Sequence, residues 1–217
     1  KLLAKGVRYF KDLPPDKLRI IASDITRGRL LLLPDDIRQY GMNPGNLEVA
    51  RAVRMSASLP FFFDPVVIKK RQRADDGACK KSPRVIYVVD GGILSNFPLW
   101  IFDKTNKEDR KMTPVLGFNL VGKNEARPKE IHGPLSMFQA LFATMMGAHD
   151  ERYIDERNRF RTIKIPTLGV QTTQFDISKE EAMRLYEAGK DAAERFFDKW
   201  SLSSYVSQYE LHVAKYI

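Results

Sequence analysis

The stretch VIYVVDGGILSNFP (Val85–Pro98) decides how the chain is interpreted. Its first five residues are aliphatic or aromatic and mostly β-branched, which is typical of a buried β-strand. Asp90 ends this strand, and Gly91 and Gly92 let the backbone turn sharply without Cβ atoms near the carboxylate. In open α/β sheets, functional side chains gather beyond the carboxyl ends of strands. Asp90 is therefore either a site residue or the start of a simple turn, since aspartate and glycine also favour turns.

Short apolar runs alternate with helical patterns along the rest of the chain. Strands are predicted at 19–25, 29–34, 66–69, 85–89, 115–121 and 159–165. Helices are predicted at 47–58, 135–157 and from 178 to about 200. Because several strands are apolar throughout, as in sheets covered on both faces, we expect a three-layer α/β/α domain with a mainly parallel central sheet.

Local signals place some ends of these elements. Gly28 is expected at positive φ in a tight turn between the first two strands. Asn46 is expected to cap the first helix, whose apolar face is predicted to comprise Val49, Ala50, Val53 and Ala57. Ser178 and Glu181 form the pattern of a capping box at the start of the last predicted helix.

Length and composition limit the class of protein. The 217 residues suffice for one substantial core, and a second independent domain is not expected. No window approaches the 18 or so uninterrupted apolar residues of a membrane span, and no signal peptide is recognisable. The single cysteine, Cys79, excludes an internal disulfide and fits a reducing compartment, so we expect a cytoplasmic location.

The chain is basic, with 36 Lys and Arg residues against 27 Asp and Glu residues and a formal net charge of +9. Such an excess favours anionic partners without choosing among them. Six positive charges lie close to the Asp90 strand, and they could contact an anionic membrane or form a solvated loop: Lys69, Lys70, Arg71, Arg73, Lys80 and Lys81. Nucleic acid is not expected as a partner, because aromatic residues do not interleave with the charges and no binding signature occurs.

An ordered series of short motifs surrounds Asp90. Ser56-Ala57-Ser58 is followed by PFFFDPV (Pro60–Val66), then by Asp90-Gly91-Gly92, and finally by Asn96-Phe97-Pro98. This order resembles the second half of a patatin-like phospholipase domain. The upstream segment LPPDKLRIIASDITRGRL is similar to the part of the family that precedes this block. The resemblance covers roughly residues 10–120 well and the remainder loosely.

The resemblance implies an acyl hydrolase that uses a serine–aspartate dyad on fatty-acyl esters of phospholipids or related lipids. Asp90 matches the base, which takes the serine proton directly, without a histidine. Gly91, Gly92 and Asn96 match positions that shape the site. The resemblance implies neither a metal nor an organic cofactor.

Three consecutive phenylalanines, Phe61, Phe62 and Phe63, lie in the segment that resembles the edge of the acyl-binding cleft. They cannot all face one side of the backbone. At least one of them is therefore expected to reach a crevice or an apolar surface. The resemblance implies that one of the three lines the acyl pocket, and plain core packing is the alternative.

The nucleophile is missing from these 217 residues. The family carries it in Gly-x-Ser-x-Gly, yet no serine here has glycine two residues before it. A glycine-rich loop for an oxyanion hole is also absent. We expect residues 1–217 to be the C-terminal portion of a single patatin-like domain that is incomplete at its N-terminus. The alternative is a non-catalytic, lipid- or membrane-binding homologue.

Other residue types do not form a rival site. His132, His149 and His212 are expected to be surface or hydrogen-bonded histidines. Ser95 is too close in sequence to Asp90 to serve convincingly as its nucleophile. The acidic pairs Asp35-Asp36 and Asp75-Asp76 are expected to be loop residues, and no metal site is predicted.

Overall fold

A computed structural model of the chain describes residues 5–69, 85–103, 113–122, 130–134, 136–138, 140–141, 144, 158–170 and 174–216. The chain divides into two compact units, Lys1–Asn96 and Phe97–Ile217. The class is mixed α/β, as predicted. Among the described residues, no helix combines the length and apolar composition that crossing a bilayer requires.

The first unit contains a four-stranded sheet. Its strands are β1 (Ile20–Asp24), β2 (Arg29–Leu33), β3 (Val66–Lys69) and β4 (Val85–Asp90). They lie in the order β2-β1-β4-β3, so β4 has a neighbour on each side. The positions of all four strands agree with the prediction to within a residue or two.

All pairings in this sheet are antiparallel, so the prediction of a mainly parallel sheet is wrong. The Ile25–Gly28 turn between β1 and β2 is too short for a parallel crossover, which needs a dozen or more residues. Gly28 has φ +64°, as predicted for this turn. Parallel pairing occurs, among the described strands, only in the second unit. Helix α1 (Val49–Ser56) covers one face of the sheet, and a second helical layer stays a prediction.

Helix α1 begins two residues later than predicted, and Asn46 does not cap it. The N-cap is Glu48, while Asn46 ends a separate 3-10 turn. That turn is closed by Asn43, whose side-chain oxygen accepts the Gly45 N–H at 2.9 Å. The Asn-Pro-Gly-Asn segment thus satisfies its own backbone groups and leaves α1 to start after it.

The buried face of α1 also differs from the prediction. Val49, Ala52 and Met55 are buried at three-residue steps, whereas Ala50, Val53 and Ala57 are exposed. In so short a helix two apolar faces compete, and packing against β1 and β4 chooses the face that carries the long side chain of Met55. The core around this face comprises mainly Ala22, Leu31, Leu33, Ile37, Ile68, Ile86 and Val88.

A fully buried carboxylate closes the far end of β1. Asp24 accepts the Tyr40 hydroxyl at 2.7 Å and the Arg27 backbone N–H at 3.0 Å. Burial, together with the hydrogen bond to Asp24, raises the pKa of Tyr40. The Arg27 guanidinium lies 5.0 Å from the centre of the Tyr40 ring. Every one of these polar groups is bonded, which is the condition for burying a carboxylate.

The second unit contains the parallel pair β5 (Gly117–Val121) and β6 (Thr162–Pro166), with helices α2 (Lys179–Phe197) and α3 (Leu202–Tyr216). The predicted strand at 159–165 is a 3-10 turn up to Arg161. Of the predicted helix at 135–157, the described residues from 136 to 144 are helical and residues 145–157 lie outside the description.

The helix ends of the second unit were predicted unevenly. The capping box of α2 is confirmed, because the Ser178 hydroxyl accepts the Glu181 N–H at 3.1 Å and the Glu181 carboxylate accepts the Ser178 N–H at 2.9 Å. Helix α3 was not predicted. Its serine-rich first turn resembles a loop, and three of its residues, Tyr205, Tyr209 and Val213, form a small buried cluster of their own.

A buried ion pair lies beside this cluster. Arg161 is fully buried and holds Asp103 with both terminal nitrogens, at 2.5 and 3.0 Å. Its Nε donates to the Asn158 side-chain oxygen at 2.9 Å. His212 Nε2 lies 3.4 Å from an Arg161 nitrogen, and the guanidinium stands over the Tyr209 ring at 5.5 Å. These contacts tie α3 to the segment before β6.

Replacing Asp103 by asparagine should strongly destabilise the second unit. The amide is nearly isosteric with the carboxylate, but it would leave the Arg161 guanidinium buried without its counter-charge. We expect a loss of about 3–5 kcal/mol in the free energy of unfolding, measured by chemical denaturation. The control is Glu194→Gln, which removes a loose surface pair with Lys190 at 4.0 Å and should change little. Equal effects of the two changes would contradict this interpretation.

Candidate active site

Asp90 lies at the carboxyl end of β4, a strand with neighbours on both sides. It follows Ile86 and Val88 at two-residue steps, so it lies on the same face of the sheet as these core residues. Its Cα partner on β1 is Ala22. The Asp90 side chain is partly buried. Its backbone is held in the sheet, but Asp90 is the last residue of the strand.

Two hydrogen bonds fix the backbone and carboxyl group of Asp90. Its N–H donates to the Ser58 carbonyl at 3.0 Å. Its Oδ1 accepts the Gly92 N–H at 2.7 Å, which closes a turn over Gly91. Oδ2 has no hydrogen-bond partner among the described residues. As the first residue of a turn, Asp90 uses Oδ1. As a site residue, it would use Oδ2, so the two interpretations are compatible.

Burial raises the pKa of the Asp90 carboxyl above its ordinary value, and the hydrogen bond from the Gly92 N–H opposes this shift in part. The cause is the loss of water around the charged form. A carboxyl group of this kind takes up a proton more readily than an exposed aspartate, which is the property that a general base requires.

Gly91 is required by a close approach of two backbones. A Cβ atom added at Gly91 would lie 2.6 Å from the Ile21 carbonyl oxygen and 2.7 Å from its Cγ1. The Gly91 carbonyl accepts the Ser23 hydroxyl at 3.5 Å and the Ser95 N–H at 3.0 Å. Gly91 and Gly92 are both buried. Gly91 therefore lets the turn pack directly against β1, a contact that the sequence does not reveal.

Phe61, Phe62 and Phe63 lie in a turn that leads into β3. Their exposed fractions are 52%, 47% and 50%, so none of the three is fully buried, and their place in an acyl pocket stays a prediction. Val66 pairs with Val88, and so β3 begins at the end of the sheet where β4 finishes with Asp90. The three side chains are thus on the chain segment that runs from Ser58, a partner of Asp90, to the adjacent strand.

The remaining predicted residues are Asn96 and the basic residues of the loop at the end of β3. Asn96 is exposed and follows the Gly91–Ile93 turn, and Lys69 is exposed at the end of β3. The other basic residues of this loop lie outside the described residues: Lys70, Arg71, Arg73, Lys80 and Lys81. Cys79, His149 and Asp75-Asp76 also lie outside them.

The described histidines behave as predicted. His132 is exposed and contacts Glu130 at 3.1 Å, and His212 belongs to the buried Arg161 cluster. Sequence reasoning missed Ser58 and Ile21, which hold Asp90 and Gly91 through backbone atoms. Backbone contacts leave no signal in side-chain identity, although Ser58 belongs to the Ser-Ala-Ser stretch that was singled out.

Two cavities lie away from Asp90. One of about 680 Å³ is lined by residues of α2 and Leu168, and one of about 350 Å³ is lined by residues between Tyr9 and Arg51. Neither cavity includes Asp90 or the three phenylalanines. The Asp90 carboxylate therefore lies at the carboxyl end of β4, outside both cavities.

Comparison with known proteins gives two findings. A family model described as patatin-like phospholipase matches residues 5–103, a range that includes all four strands of the first sheet and Asp90. The chain is also 43% identical, over 201 residues, to an uncharacterized protein, YqhO, of Bacillus subtilis (strain 168). This similarity covers 92% of the chain, and the chain spans 64% of the length of that relative.

Replacing Gly91 by alanine should destabilise the first unit and displace Asp90. The new methyl group would meet the Ile21 carbonyl, which is fixed in β1 and cannot move aside. We expect a loss of about 1–3 kcal/mol in the free energy of unfolding. The control is Gly133→Ala, where an added Cβ has no atom within 4 Å. Similar stabilities of the two variants would show that the close approach is not rigid.

Replacing Asp90 by asparagine should remove a pH dependence of stability. Because the pKa of Asp90 is raised in the folded state, the folded chain binds more protons than the unfolded chain between the two pKa values. Wild-type stability therefore falls as pH rises through this window. Asparagine keeps an acceptor for the Gly92 N–H but carries no charge.

The measurement is the free energy of unfolding of both proteins between about pH 4 and about pH 7. The difference in favour of Asp90→Asn should grow with pH. Two curves that stay parallel over this range would mean that burial does not penalise the Asp90 carboxylate.

Proposed function

We propose, from the match of residues 5–103 to the patatin-like phospholipase model, that the chain supplies the base of a lipid acyl hydrolase. The parent protein cleaves fatty-acyl esters through a serine–aspartate dyad, with Asp90 as the aspartate. This reaction needs neither a metal nor an organic cofactor, because the proton moves between two side chains and the substrate. YqhO is an uncharacterized protein, so the similarity to it does not indicate a substrate.

The observation that carries the proposal is the state of the Asp90 carboxyl group. Oδ1 is occupied by the Gly92 N–H, which orients the group, while Oδ2 has no partner among the described residues. Partial burial raises the pKa of the carboxyl. One oriented, partly desolvated carboxylate with an oxygen to spare is what a hydroxyl nucleophile needs beside it.

In the proposed reaction the serine hydroxyl lies against Oδ2. As the serine oxygen attacks the ester carbonyl, its proton passes to Asp90, and the carboxylic acid then donates that proton to the departing alcohol. Water hydrolyses the acyl-enzyme by the same route: it gives a proton to Asp90 as it attacks, and Asp90 returns that proton to the serine oxygen as the fatty acid is released. The oxyanion formed in each step requires N–H donors that Asp90 does not provide.

No serine of residues 1–217 occurs in Gly-x-Ser-x-Gly. In this proposal the nucleophile and the oxyanion donors come from outside residues 1–217. Asn96 follows the Gly91–Ile93 turn, and we propose that it helps to hold the segment beyond that turn. One of Phe61, Phe62 and Phe63 contacts the acyl chain.

We further propose that the protein is cytoplasmic and contacts anionic membranes peripherally. The supporting facts are the net charge of +9 and the basic residues at and after the end of β3. Lipid head groups of cytoplasmic leaflets are partly anionic, and each basic residue near such a surface contributes about 1 kcal/mol to binding.

A second candidate is a non-catalytic homologue that binds lipid without cleaving it. The hydrogen bond from Gly92 to Oδ1 favours it, because the same bond would form in a simple Asp-Gly turn. The sequence of the complete gene separates the two candidates: a Gly-x-Ser-x-Gly segment after a strand supports the hydrolase, and its absence supports the binding protein.

Asp90→Asn in the full-length protein should abolish ester hydrolysis while leaving the fold intact. Asparagine cannot take a proton at neutral pH, and losing a general base costs about 10²–10⁴-fold in rate. The measurement is kcat/KM on a soluble short-chain ester and on a phospholipid. In the wild type, the rate should fall on the acid side at a pH above the ordinary carboxyl range, because the pKa of Asp90 is raised.

The matched control is Asp198→Asn, which removes an exposed carboxylate at the end of α2. It should retain the wild-type rate on the soluble ester. A near-normal rate for Asp90→Asn would exclude Asp90 as the base. Esters of increasing acyl length test the phenylalanines in the same assay, and a length preference that survives alanine at each of the three positions would exclude them from the acyl pocket.

A further inference from the structure

We propose that Phe61, Phe62 and Phe63 form an aromatic tip that inserts into the surface of an anionic lipid bilayer. The inference deepens the proposed function, since it names the surface through which the hydrolase would reach its lipid. It rests on the shape of the turn, on the exposure of its side chains and on the basic residues of α1.

The turn that carries the aromatic tip is held rigidly. The N–H groups of Phe62 and Phe63 both donate to the Leu59 carbonyl, at 3.2 and 3.0 Å. Phe61 has φ +71°, a conformation that is rare for a bulky residue. Pro60 and Pro65 flank the three residues. A fixed backbone of this kind presents side chains at little further cost in conformational entropy.

All three rings are about half exposed, at 52%, 47% and 50%. Because a phenylalanine side chain buries roughly 150–250 Å² when fully covered, the tip presents roughly 300 Å² of aromatic surface. A stable protein–protein interface needs about 800 Å² on each partner. The tip is therefore small for a protein partner, whereas a bilayer surface can receive three rings without a complementary shape.

Basic side chains lie on α1, which precedes the aromatic tip, and an exposed acidic residue, Asp64, directly follows the tip. Arg54 is exposed in the last turn of α1, which leads into the tip, and its carbonyl accepts the Ser58 hydroxyl at 2.6 Å. Arg51 is exposed and reaches the Val67 carbonyl, at 3.5 Å, beyond the exit of the tip. The two arginines supply positive charge for anionic head groups, which exceeds the single negative charge of Asp64, and the rings supply an apolar surface.

The position of the tip also suits the proposed reaction. The tip leads into the start of β3, at the end of the sheet where Asp90 finishes β4. Ser58, which accepts the Asp90 N–H, lies three residues before Phe61. Insertion of the rings would bring that end of the sheet to the lipid surface. A lipid ester in the bilayer would then move only a short distance to reach Asp90.

The test is sedimentation of the full-length protein with vesicles of phosphatidylcholine containing phosphatidylglycerol. The wild type should bind, and vesicles of phosphatidylcholine alone should bind about tenfold more weakly. The variant with alanine at all three phenylalanines should bind about a hundredfold more weakly, since each half-buried ring contributes to partition. Binding of this variant at the wild-type level would overturn the proposal.

The matched control is Phe118→Ala, which removes a phenylalanine of similar exposure, 59%, from β5. It should bind the vesicles like the wild type, and a loss equal to that of the triple variant would overturn the proposal. If the triple variant does not fold, Phe62→Trp replaces it. Tryptophan fluorescence quenched by brominated lipid supports insertion. Fluorescence that is already shielded from acrylamide before vesicles are added shows a protein segment over the tip and overturns the proposal.

Vesicle binding is measured without turnover, on Asp90→Asn as well as on the wild type, and the two should bind equally. Hydrolysis of the soluble ester by Asp90→Asn would refute the proposed function and leave the binding result standing. Loss of binding by the triple variant, with Asp90→Asn inactive, supports both. A wild type that hydrolyses the soluble ester but does not bind the vesicles would refute the aromatic tip alone.

Discussion

The candidate site depends on the approach of the Gly91 turn to the backbone of Ile21 on β1. A Cβ atom at position 91 would lie 2.6 Å from the Ile21 carbonyl oxygen, so only glycine permits this distance. In the same turn the Gly92 N–H donates to Asp90 Oδ1, and the Asp90 N–H donates to the Ser58 carbonyl. A partly buried carboxylate costs free energy, and the surrounding sheet offsets that cost because β4 is paired on both edges.

Two aspartates at strand ends in the same sheet show how surroundings decide a role. Asp24, at the end of β1, is fully buried, and both of its oxygens are bonded, to the Tyr40 hydroxyl and the Arg27 N–H. Asp90, at the end of β4, is only partly buried and has one bonded oxygen among the described contacts. A fully satisfied carboxylate stabilises a fold, whereas one with an open oxygen can exchange a proton. The contrast favours Asp90 as the reactive residue of the two.

The second unit also buries a charged side chain that is held by hydrogen bonds, here an arginine. Arg161 is buried completely, and it is tolerated because Asp103, Asn158 and His212 surround it while the Tyr209 ring covers one face. Neither partner of the ion pair belongs to a recognisable motif, and they are 58 residues apart in the chain. Such a pair fixes which segments pack together more than it adds to stability, since desolvation offsets most of the attraction.

The sequence by itself determined the positions of the four strands of the first sheet, the capping box at Ser178, the positive φ of Gly28 and the resemblance to patatin-like phospholipases, because these depend on neighbouring residues or on an ordered series of short motifs. It misjudged the sheet direction and the buried face of α1, where Met55 rather than Val53 enters the core. Strand direction, the closeness of Gly91 to Ile21 and the half-exposure of Phe61–Phe63 were decided only by tertiary structure. Each depends on contacts between residues far apart in the chain, and local composition carries no record of them.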